Sequence, residues 1–134
     1  MRFALEVNEK QAELMMEALD LYIRIRIGQW NKAAEICMQH ECDLAAEDYC
    51  EREEKMRSLI GEARGICFPE LGRDLCGSYG VGKFDDTRAA YDVFQVLRHE
   101  LSWARHPKGA WTVDFDKPTP FSDLPMPVCE KLKD

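Results

Sequence analysis

The chain has 134 residues, of which 46% are hydrophobic and 32% charged, an ordinary globular composition that excludes a disordered or low-complexity chain. Eighteen Lys and Arg against 25 Asp and Glu leave a formal charge of -7 with no basic block, which argues against nucleic acid or an anionic membrane as partner. No run approaches the ~20 apolar residues of a membrane span, and the opening apolar run before Glu6 is too short for a signal peptide, so the expected compartment is the cytoplasm.

The length sets the expectation of a single domain, 1–134, with an extended proline-rich tail at 117–134. Phe3, Leu5 and Val7 alternate with Arg2, Ala4 and Glu6, which predicts a short strand with one buried face. Asn8 and Gln11 have the spacing of a capping box, opening a helix from Glu9 to about Gly28. Its polar residues, Glu13, Glu17, Asp20 and Arg24, form one narrow stripe, as in a central helix packed on several sides. Gly28 is read as a kink, and Asn31 to about His40 as a second, short helix. Asp43 is placed as the cap of a third helix reaching about Arg64, with a very polar first half at Glu47 to Lys55 and an apolar end at Met56, Leu59, Ile60 and Ala63. Five glycines and a proline between Gly65 and Phe84 predict a long loop. Asp85, Asp86 and Thr87 are placed as the cap of a fourth helix, Thr87 to about Arg105. Its polar face is Arg88, Asp92, Gln95 and His99, with Ala90, Phe94, Leu97 and Leu101 opposite. Trp111 to Asp116 is read as a second strand, paired with the first. The expected fold is therefore α+β and mostly helical: two long central helices, shorter flanking helices, and a small antiparallel sheet from the terminal strands.

Six cysteines, at 37, 42, 50, 67, 76 and 129, are read as reduced thiols, because a cytosolic chain of this length needs no disulfide framework. Cys37, His40, Cys42 and Cys50 are soft ligands, but zinc sites present two short pairs on turns, so no metal is expected. Gly77 to Lys83 satisfies the glycine and lysine spacing of a phosphate loop. Phe84, however, stands where a hydroxyl would hold magnesium, so at most glycine amides beside Lys83 cradle a phosphate. No nucleophile, base or metal set stands out, so neither catalytic residues nor a cofactor is implied, and the chain is read as no enzyme.

Two features suggest binding. Arg26 falls on the helical face of Met15, Leu19 and Tyr22, where a guanidinium needs a partner. Tyr91, Gln95, Arg98 and Ser102 line a shoulder of the fourth helix, combining an aromatic plane, an amide and a cation in the manner of a nucleotide grip or a protein interface.

The stretches Leu21-Tyr22-Ile23-Arg24-Ile25 with Gly28-Gln29-Trp30, and Ala90 through His99, together with Leu101, Trp103 and the expected strand Trp111 to Asp116, resemble a scattered group of small bacteriophage and prophage proteins. The resemblance implies a bacterial host cytosol and an accessory, counter-defence role. The leading expectation is a sponge that sequesters a nucleotide-derived immune signal, such as a cyclic dinucleotide or an ADP-ribose derivative. Its ligand-binding set is Arg26, Gln29, Trp30, Lys83, Tyr91, Gln95, Arg98 and His99, and a homo-oligomer is expected. The alternative is an acidic binder that blocks a host defence protein through the run from Glu47 to Glu54.

Overall fold

A computed structural model of the chain describes residues 3–39, 46–72 and 77–132, the side chains of 46 and 47 excepted. Among these residues there are four α-helices, α1 (Glu9–Arg26), α2 (Asn31–Met38), α3 (Ala46–Cys67) and α4 (Asp85–Arg105), with 3-10 turns at Pro69–Leu71, Val81–Lys83 and Val113–Phe115. No strand occurs among the described residues, so the expected α+β fold with a terminal antiparallel sheet is corrected to a helical one. The alternation at the start buries no face, since Phe3 is 90% exposed and Leu5 72%. At Trp111 to Asp116 the backbone turns instead of extending: the Phe115 amide donates to the Thr112 carbonyl at 3.2 Å and the Asp116 amide to that of Val113. The turn sets Phe115 edge-on against Trp103, ring centroids 5.2 Å apart. A six-residue alternation is too short to outweigh a local aromatic contact when no neighbouring strand pairs its backbone.

The chain divides into two compact units, Leu21–Lys83, and Met1–Asp20 together with Phe84–Asp134. In the second of these, α1 opens on the capping box: the Gln11 amide donates to Asn8 Oδ1 at 2.9 Å and the Asn8 amide to Gln11 Oε1 at 3.0 Å. The expected fourth-helix cap is corrected. α4 begins at Asp85 after Phe84, with no side chain capping it, while the Thr87 hydroxyl turns back to donate to the Phe84 carbonyl. The two early aspartates still suit the positive end of the helix dipole. Asp43, placed as a cap of the third helix, lies outside the described residues.

In the unit Leu21–Lys83, α1 stops rather than kinks. The Gln29 amide reaches the Arg24 carbonyl at 2.8 Å and the Gly28 amide that of Ile25 at 3.2 Å, the two bonds of a Schellman ending, with Gly28 at φ +84°. Nor is α1 covered on several sides as expected, since Leu14, Tyr22 and Ile25 are exposed while Ala12 and Ile23 are buried. The unit closes around Arg64, fully buried near the end of α3. Its guanidinium donates to the carbonyls of Gly28, Gly72 and Gly77, with a longer contact at 3.4 Å to that of Leu71. One side chain thereby ties the end of α1 to the segments on both sides of residues 73–76. Trp30 and Tyr79 flank Phe68 edge-on, at 6.1 and 6.2 Å between centroids.

Candidate functional site

The sequence places Asp92 and Gln95 on the wet face of α4; the structure buries both, at 2% and 5% exposure. A buried carboxylate and amide must replace their water partners, and here the partners come from the proline-rich tail. The amides of Phe121 and Ser122 donate to the two oxygens of Asp92 at 2.8 and 3.0 Å, and the Ser122 hydroxyl donates to the second oxygen. The Gln95 amide group donates to the Thr119 carbonyl and accepts from the Thr119 amide at 3.0 Å, pairing both backbone groups of one residue as a neighbouring strand would. Gln95 also donates to Asp92 at 3.1 Å. Burial pushes the Asp92 carboxyl up, but the Ser122 hydroxyl, the two tail amides and Gln95 outweigh it and hold the group below the ordinary aspartate range.

The shoulder beside this clamp is occupied as well. Tyr91 meets Phe121 edge-on at 4.7 Å between centroids and stacks on Phe94 at 5.7 Å. Arg98 lies over Phe94 at 5.2 Å, and its Nε is 3.4 Å from Asp114 Oδ1, an ion pair outside hydrogen-bond geometry. His99 Nδ1 is 3.4 Å from Glu100 and its ring 6.3 Å from Trp103. On α4, therefore, Tyr91 and Gln95 seat the tail, while Arg98 is engaged by Phe94 and by Asp114 of the Val113–Phe115 turn.

The remaining members of the expected set lie in the other unit. Gln29 accepts from Arg24 at 2.7 Å, the Trp30 indole donates to the Ile25 carbonyl at 3.0 Å, Lys83 sits 5.0 Å from the Tyr79 ring centre, and Arg26 is half-buried and likewise engaged. In the glycine loop, the Tyr79 amide is bonded to the Ile27 carbonyl and the Lys83 amide to that of Gly80, so these two amides do not form an open cradle. An open depression of about 410 Å³ lies beside the end of α3, and its described lining is Glu62, Gly65, Ile66, Pro69 and Gly72. Of the soft-ligand set, His40 and Cys42 lie outside the described residues, and Cys37 and Cys50 are exposed free thiols.

The chain matches no family model, no curated protein and no solved structure. No described helix is long and apolar enough to cross a membrane. Two features carry what the site can do: the α4 clamp, and the first half of α3, whose run 47–55 holds five carboxylates and two cations. There Glu53 pairs with Arg57 at 2.9 Å, while Asp48, Glu51 and Glu54 are exposed. Sequence reasoning missed Arg64 and the Asp92 clamp. For Arg64 a signal existed, a cation in line with Met56 and Ile60 at helical spacing. For Asp92 there was none, because a carboxylate on a polar stripe looks solvated.

Proposed function

We propose that the chain is a non-enzymatic protein-binding module that docks, through the acidic first half of α3, on a basic surface of its partner and blocks it. One contrast carries this reading. The side chains that a nucleotide would need to recruit are already engaged within the protein, whereas Asp48, Glu51 and Glu54 stand exposed on α3. Such a face steers a complementary partner and sets the association rate. The resemblance to small phage proteins makes that partner a host defence protein in the bacterial cytosol. Sequestering a nucleotide-derived signal is the less economical reading, since Tyr91, Gln95 and Arg98 would have to leave Phe121, Thr119 and Asp114.

The test is an immobilised wild-type chain beside an Asp48→Lys, Glu51→Lys, Glu54→Lys chain, both offered host lysate. The expected result is one basic protein, identified by mass spectrometry, retained by the wild type, released as salt rises, and not retained by the reversed chain. Retention indifferent to the reversal would overturn the reading. A cyclic dinucleotide or ADP-ribose at 100 times its dissociation constant, raising stability by about 2.7 kcal/mol, would favour sequestration instead.

A further inference from the structure

The α4 clamp reads the tail mainly through its backbone. Asp92 takes two successive backbone amides, Gln95 takes both polar groups of Thr119, and only the Ser122 hydroxyl and the Phe121 ring are read as side chains. Pro118 and Pro120 stiffen the segment, since each fixes its own φ and keeps Lys117 or Thr119 before it out of the helical region. The clamp is built: both of its polar side chains are more than nine-tenths buried and satisfied by this peptide.

We propose that the clamp also accepts Thr119 to Ser122 from a second copy, so that two chains exchange tails and form a dimer. A second copy carries the one segment whose fit is on the page, and exchange replaces each cis contact with an identical contact in trans. The hinge is short and wet. Phe115 is held against Trp103, and Asp114 lies by Arg98, which leaves the exposed Asp116 and Lys117 with the half-buried Pro118 between the anchored turn and the clamp. In cis the tail also leaves apolar surface uncovered: Phe121 stays 43% exposed while docked, Leu124 62% and Val128 74%. A tether this short gives the cis tail an effective concentration on the order of millimolar, so micromolar wild type is expected as a monomer, and exchange has to be read where the cis contact is removed.

Two full-length variants do that. Asp92→Ala/Gln95→Ala keeps the tail and loses the clamp; Thr119→Pro/Phe121→Pro/Ser122→Pro keeps the clamp and strips the tail of the three amides, the hydroxyl and the ring that it binds. Neither is expected to associate alone. Mixed in equal amounts they should form a 1:1 complex at twice the 15.5 kDa of one chain, read by light scattering, and introducing Asp92→Ala/Gln95→Ala into the tail-less chain as well should abolish it. Should the tail-less variant be unfolded alone, by circular dichroism, its refolding on addition of the clamp-less variant supports exchange equally. Two folded variants that stay monomeric on mixing, an unfolded variant that is not rescued, or a dimer formed by either variant alone would overturn the proposal.

Discussion

A guanidinium with no exposure and carbonyl oxygens around it has exchanged hydration for backbone dipoles, and Arg64 does this with donors to Gly28, Gly72 and Gly77. The planar fork matters here, because its donors diverge in fixed directions toward separate segments. Replacing Arg64 with Leu leaves those carbonyls without a donor. The Gly28 carbonyl belongs to a buried residue, whereas Gly72 is exposed and water replaces part of its loss. At about 1–3 kcal/mol for each buried group stranded, the expected cost is about 3 kcal/mol in urea unfolding. Arg64→Lys should recover little of it, since one ammonium cannot span the separated acceptors. A Lys variant as stable as wild type would show that charge, not the fork, is what the site uses. The same reasoning was legible in the sequence, where it was applied to Arg26; the line from Met56 through Ile60 to Arg64 supported it equally well.

At the level of elements, what could be read ahead of the structure was what is local. Asn8 and Gln11 form the capping box their spacing suggests, and the four helices lie within a few residues of their expected positions. The strands failed because a strand is defined by a neighbour, and alternation at Phe3 to Val7 or Trp111 to Asp116 says nothing about whether one exists. The α4 clamp was hidden for a related reason: the tail that buries Asp92 is some 30 residues away in sequence, and no local pattern reports it. Where α1 ends, a local rule gives a test. Gly28 sits at φ +84°, and an added Cβ would lie 2.6 Å from Leu71 Cδ1. Gly28→Ala should therefore cost about 1–2 kcal/mol from the left-handed backbone alone, with more from moving Leu71. Denaturation with an unchanged midpoint would mean that the α1 ending is not held in the left-handed region.

At the scale of the whole molecule, Asp92 couples stability to pH through the seating of the tail. Its folded pKa is depressed, so the stability it contributes is fully present above the unfolded value of about 3.9 and is lost as pH falls through the folded value. The sign follows from proton counting: in that window the unfolded chain binds the proton first, so acid favours unfolding. Glu13, also depressed, first by its hydrogen bond from Lys10, bends the curve in the same sense but is common to wild type and variant. Asp92→Asn removes the charge and keeps the shape. At pH 7 it should lose about 1.5–3 kcal/mol, the range for hydrogen bonds to a charged group, and release the tail, seen as faster amide exchange at Phe121 and Ser122. The informative measurement is the stability difference between the two chains in urea from pH 7 to pH 2. It should stay level down to about pH 5, shrink below the unfolded pKa, and approach zero once the wild-type carboxyl is protonated. A difference that held constant across the whole series would separate the clamp from the Asp92 charge and leave its hold on the tail to shape alone.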